Sequence, residues 1–204
     1  MVFTKSNPIK PYYLNNLNML NYNIDLTIHL RSDFVIFNFR SPFLKDLERI
    51  MDIEKSGFSS EEAASSESMK ERIEVINDSF ILAVTESDNP VGYVVGPVIP
   101  ERYLHDDLFE KTVENPAIGG YQTILSLVVD PQFQKFGIAT NLLTELEDIS
   151  RNKKRDGITL TCLKSLIPFY EKNGYKLEGV SDSQHAGETW YNMVLDLKKD
   201  NCSS

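Results

Sequence analysis

The sequence predicts an α+β (mixed α/β) fold with a central mixed sheet flanked by helices, on three observations. Apolar runs of strand length fill the first half, a strand–helix–strand crossover follows Tyr121, and two further strands close the chain. Phe34–Phe39 reads as the first strand. Pro42 then opens a helix that carries Leu44, Leu47, Ile50, Met51 and Ile53 at helical spacing. Residues 59–68, rich in Ser and Glu, form a polar connection to a second helix that runs through Ile76. Phe80–Thr85 and Val91–Val95 make a hairpin across Ser87-Asp-Asn-Pro90. Pro97 to Gly120 is a long loop, of a length that in compact domains is usually functional. Tyr121–Asp130 is the fourth strand, Ile138–Asn152 the third helix, Ile158–Leu163 the fifth strand and Ser165–Asn173 the fourth helix. Tyr175–Val180 and Thr189–Leu197 supply the last two strands.

At 204 residues the chain is long enough for one domain with a substantial core, placed at 31–200 behind an Asn- and Tyr-rich extension over 1–30. The longest apolar runs fall well short of the ~20 residues that span a bilayer, so no membrane span is expected. Lys5 and Lys10 precede no apolar secretory core, and the two cysteines, Cys162 and Cys202, make no disulfide framework; a reduced, cytoplasmic setting is the expectation. A formal charge of −9 argues against nucleic acid as a partner, because such binding draws on clustered Lys and Arg, and it favours the approach of a cationic amine. The basic run Arg151–Arg155 reads as a solvated helix end or as a contact for the 3′-phosphate of a nucleotide. No Cys/His cluster has metal spacing, so no metal is expected.

The densest signal is the segment from Ser126 to Leu143. Leu127, Val128 and Val129 form a strand, Asp130-Pro131 ends it, and Ile138, Leu142, Leu143 and Leu146 recur at helical spacing, so Gln134-Lys-Phe-Gly-Ile-Ala139 opens a helix. A helix start presents N–H groups without intrahelical partners and the positive end of the dipole, where a phosphate meets several donors. Gly137 and Ala139 keep that approach open for a diphosphate.

Val-Val-Asp-Pro-Gln-Phe-Gln-Lys-Phe-Gly-Ile-Ala139 resembles the acetyl-CoA signature of the GNAT N-acetyltransferases, Gln/Arg-x-x-Gly-x-Gly/Ala. Leu166–Tyr175, with Asn-Gly before a strand, resembles the family's second signature. Leu47–Phe58, Glu61-Glu-Ala-Ala-Ser65, Met69–Arg72 and Thr189–Val194 are similar to the arylalkylamine and polyamine branch, its fungal members above all. The resemblance implies a splayed sheet whose gap, commonly opened by a bulge in the fourth strand, takes the acetyl-pantetheine arm. It implies acetyl-CoA as co-substrate, held by Leu127, Val128 and Val129 along the arm and by Gln134, Lys135, Phe136, Gly137, Ile138, Ala139 and Thr140 at the pyrophosphate. Asn173 is a further candidate for the cofactor, and also for a helix C-cap.

Amine acetylation needs a neutral nitrogen, yet an alkylammonium with pKa ~10 is neutral only roughly once per thousand molecules at pH 7. The branch's histidine bases correspond here to Thr123 and Leu125, which accept no proton, and His29, His105 and His185 lie outside both signatures. Glu54 and Glu62 are the candidate replacements, each of which also reads as a solvent-facing or capping carboxylate. The family position of a proton donor to the departing thiolate is taken by Tyr170, whose other reading is a core residue. Ser126 is polar in an apolar strand, with no role assigned. The expected function is N-acetylation of a primary amine on a small molecule, an arylalkylamine or polyamine, by direct attack in a ternary complex. Protein or peptide acetylation and a catalytically weak acyl-CoA-binding module are the alternatives.

Overall fold

The structure, a computed structural model, describes residues 36–109, 111–183 and 187–198. The extension over 1–30, the start of the predicted first strand at Phe34, and His29, His185 and Cys202 lie outside the described residues.

Among the described residues nine strands form two sheets. The first is antiparallel, in the order β1 (Asn38–Arg40), β2 (Phe80–Val84), β3 (Pro90–Val95) and β6 (Ser126–Val129). The second runs β4 (Val98–Ile99), β5 (Tyr121–Ile124), β7 (Gly157–Leu163), β9 (Trp190–Asp196) and β8 (Lys176–Val180), with β5 and β7 parallel and the other pairs antiparallel. The predicted fourth strand is therefore not one strand. It breaks at Leu125, and its halves belong to different sheets.

The break has a partner across the ladder. Pro97 has no N–H to give, so the strand facing the predicted fourth strand also splits, into β3 and β4. The Thr123 and Leu125 amides still donate to the Pro97 and Val95 carbonyls, both at 2.9 Å, and the Thr123 hydroxyl adds a 2.7 Å bond to Pro97. Beyond that seam the sheets diverge: among the described residues β6 pairs with β3 alone and β7 with β5 and β9. The long loop after Pro97 accordingly contains β4 and a 3-10 turn at Asp106–Phe109.

Among the described residues four helices cover the sheets: α1 (Leu47–Gly57), α2 (Ser66–Val75), α3 (Ile138–Asn152) and α4 (Ile167–Lys172). Strand alternation divides the apolar side chains between two cores. Leu82, Tyr93, Val95 and Val128 face Ile50, Ile53, Met69 and Ile73 of α1 and α2, whereas Ala83, Val94, Leu160 and Met193 face Leu142, Leu146 and Tyr170 of α3 and α4. The predicted bounds of α3 hold as drawn; α1 and α4 begin later, each after a 3-10 turn, and α2 begins at Ser66 because the Ser65 hydroxyl caps it. Among the described residues no helix is long and apolar enough to cross a membrane.

Candidate active site

The end of β6 and the start of α3 form the most sharply defined part of the site. The Asp130 carboxylate caps the turn after β6 through the Gln132 amide (2.8 Å) and pairs with Arg49 of α1, which fixes where the chain leaves the sheet. Gln134 ties the turn back by donating to the Val129 carbonyl at 3.2 Å. Lys135 (φ 70°) and Gly137 (φ 78°) then adopt left-handed backbone, a sequence of reversals that gathers successive N–H groups into a concave nest. The first α3 bond runs from the Asn141 amide to the Gly137 carbonyl at 3.0 Å, so the Ile138, Ala139 and Thr140 amides have no intrahelical partner. A cavity lies against this turn, lined by residues that include Val129, Lys135, Gly137, Ala139, Thr140 and Phe169. A Cβ built on Gly137 meets no atom within 4 Å, so open space faces the nest. Those features fit a diphosphate.

Gly137→Val tests that placement. A β-branched residue strains the positive φ and fills the space in front of the amides. Loss of one charge-assisted bond, ~1.5–3 kcal/mol, weakens CoA binding roughly ten- to a hundredfold in a calorimetric titration. Unchanged affinity in a folded variant would place the diphosphate elsewhere.

Inward from the nest, among the described residues β6 has no neighbouring strand opposite β3, and the backbone groups on that edge lack ladder partners there. A second cavity occupies the gap between β6 and β7, with Leu125 and Leu127 on one wall, Thr161 and Cys162 on the other, and Tyr170 and Leu166 beside them. An extended chain entering here meets the β6 edge as a further strand would. Leu127 and Val129 turn their side chains to this side, whereas Val128 packs against α1, so of the three only its backbone faces the gap. Phe136 is exposed, its ring set edge-on to Phe37 at 6.4 Å, and it lines neither cavity. Asn173 caps α4, its amide donating to the Phe169 carbonyl at 2.7 Å, and it too lines neither.

Tyr170 lies 6% exposed at the floor of the gap, its ring edge-on to Phe169 and Tyr175 at 5.1 and 5.6 Å. Burial, and then the neighbouring Cys162, push the phenol above its usual pKa, so it stays protonated throughout the physiological range. Burial also pushes the Cys162 thiol up to about 11, which keeps it a neutral wall residue.

Glu54 is 1% exposed in the last turn of α1. It shares the buried stripe of that helix with Ile50, four residues earlier, and Ile53. Gly57 allows this turn to press on β6: a Cβ there would come within 2.4 Å of the Val128 side chain. One Glu54 oxygen accepts the Ala64 amide at 2.9 Å and the other the Tyr93 hydroxyl, with Ser126 and the Arg72 charge nearby. Burial outweighs these four and raises the Glu54 pKa. Glu62 differs, receiving bonds from the Ser59 amide (3.1 Å) and hydroxyl (2.7 Å). A third cavity contains Glu54, Arg72 and Ser126 and joins the β6–β7 gap through Glu62, Phe109 and Leu125, which line both.

The two carboxylates and Tyr170 thus border cavities that share Glu62, Phe109 and Leu125. His105 is exposed and outside them. Tyr93 and Arg72 were not legible as site residues from the sequence, although Arg72 sits on the apolar stripe Met69, Ile73, Ile76, where a charge is out of place. Among the described residues no cluster could hold a metal ion.

The same scaffold occurs in Arabidopsis thaliana NAA60 bound to a bisubstrate analogue, at 19% identity and a TM-score of 0.62 over 80% of this chain and all of that one. A GNAT-family protein from Desulfovibrio desulfuricans matches at 22% identity and 0.60 over the same shares. GphF, a GNAT-like decarboxylase bound to isobutyryl-CoA, matches at 16% and 0.67 over 79% of this chain and all of that one. No curated protein matches the sequence. Residues 47–175, more than half of the chain and the part that builds the nest, the gap and the Glu54 turn, match the Acetyltransferase (GNAT) family, and the chain belongs to that family.

Proposed function

We propose that this acetyl-CoA-dependent acetyltransferase acetylates a primary amine of a small molecule. The observation that carries the reading is the buried Glu54 carboxylate, raised in pKa, in the cavity that meets the gap at Leu125. Phe58, Phe109 and Trp190 line the gap beside Glu62, a combination that suits an ammonium borne on an apolar or aryl group; of the two amine types named for the branch, it favours the arylalkylamine over the polyamine.

Acetyl-CoA supplies the acyl group as a thioester. Glu62 and the acidic field of the chain hold the incoming ammonium, and Glu54 takes its proton through water, the route left open by Leu125 where the branch has a base. The nitrogen then bonds to the acyl carbon as the carbon–sulfur bond breaks, and it gives up its second proton to solvent as the amide forms. Tyr170 gives the departing sulfur its proton and recovers one from solvent, so the balance is one amide, one thiol and one proton released.

Thiol release measured over a panel of arylalkylamines, polyamines and peptide N-termini tests the reading. Small amines turn over; acetylation confined to peptides overturns it. The pH profile is a second test. Deprotonation of the amine and ionisation of a carboxylate of raised pKa both favour alkaline pH, so kcat at saturating amine rises from pH 6 to 9. A flat profile across that range removes substrate deprotonation from the slow step.

A further inference from the structure

Arg72 is unexplained by the chemistry above. It lies in α2, 2% exposed, larger than any other side chain so deeply buried, and burial lowers its pKa. Among the described residues its side chain makes no hydrogen bond or ion pair: Nε is buried without a partner, and the two Glu54 oxygens are taken by Ala64 and Tyr93. Glu54 and Glu71 act on it only through their charge. A guanidinium has five donors in a planar fork, and burying it unpaired costs several kcal/mol. Such a group persists where something else completes it.

Arg72 lines the cavity that also holds Glu54, Glu62 and Ser126 and that opens on the gap. Resting on the small-amine reading, the geometry points to an acceptor that carries a carboxylate close to its amine: a free α-amino acid with an apolar or aromatic side chain. Its carboxylate takes the Arg72 fork, its ammonium meets Glu54 and Glu62, and its side chain lies against Phe58, Phe109 and Trp190. A simple amine leaves the guanidinium uncompensated in its complex. A zwitterion compensates both signs of charge in the cavity.

Matched acceptors decide this with the full chain and acetyl-CoA. L-Phenylalanine and L-tyrosine are compared with 2-phenylethylamine and tyramine, which lack the carboxylate, and with the two amino acid amides, in which it is neutral. The amino acids should exceed both sets in kcat/KM by about tenfold or more, since a site built for a buried polar group rejects analogues without it. Arg72→Lys keeps the charge and loses the fork, and should shrink that preference mainly through KM for the amino acids. Amines or amides acetylated as fast as the amino acids overturn the inference and leave the small-amine reading standing. If none of the six is acetylated and the amine panel above is silent as well, that reading fails instead. Calorimetry in the presence of CoA then decides the inference separately: N-acetyl-L-phenylalanine should bind about tenfold tighter than N-acetyl-2-phenylethylamine, and equal affinities overturn it.

Discussion

Replacing Glu54 with glutamine should lower kcat for amine acetylation by about 10²–10⁴-fold while acetyl-CoA affinity stays within a few fold. Glutamine keeps the length of the side chain and an acceptor for the Tyr93 hydroxyl, but it takes up no proton. Glu54 is placed for this because it closes the buried stripe of α1 above Ser126, while the nest that suits the diphosphate is built by the other end of β6. The companion variant Glu62→Gln should chiefly raise KM for the amine, since Glu62 lines both cavities and its carboxylate already serves the Ser59 turn. The pH profile separates chemistry from packing. In Glu54→Gln the rise of kcat with pH should move toward the amine's own pKa, whereas a purely structural Glu54 would lower the rate at every pH without changing the shape. A Glu54→Gln enzyme within a few fold of wild type removes the carboxylate relay.

Tyr170→Phe should lower the single-turnover rate of acetyl transfer by about 10²–10⁴-fold, with little change in acetyl-CoA affinity or folding. Both the proposed role and its alternative are built into the position. The ring packs edge-on to Phe169 and Tyr175, which phenylalanine preserves, and the residue borders the gap beside Cys162. Burial keeps the phenol protonated, so it is available as a donor to sulfur at any pH where the enzyme works. The effect should vanish with an acyl donor whose leaving thiolate needs no proton, such as an electron-poor aryl thioester. A Phe variant within a few fold of wild type on acetyl-CoA makes Tyr170 a packing residue, and the thiolate then takes its proton from water.

Local chemistry made some of this readable from the sequence. Leu127–Val129 followed by Asp130-Pro131 and the spaced leucines of α3 specify a strand, a turn and a helix start, and Gly137 permits the positive φ the turn requires. All of these depend on residues close together in the chain. The Asn173 cap was equally local. What distant segments build was not readable. The apolar run from Tyr121 to Asp130 looks like one strand because periodicity is blind to partners; only pairing with β3 on one side of Leu125 and with β7 on the other divides it and opens the gap. Glu54 and Arg72 each interrupt an apolar stripe, a mark that shows burial without showing what lies opposite. The sequence by itself determined the strand–turn–helix nest and the family, because those rest on neighbours along the chain. Tertiary structure alone brought Glu54 to Tyr93 and Ser126, left the Arg72 Nε beside them without a hydrogen-bond partner among the described residues, and set Tyr170 on the same cavity system, because burial and charge compensation are properties of packed surfaces.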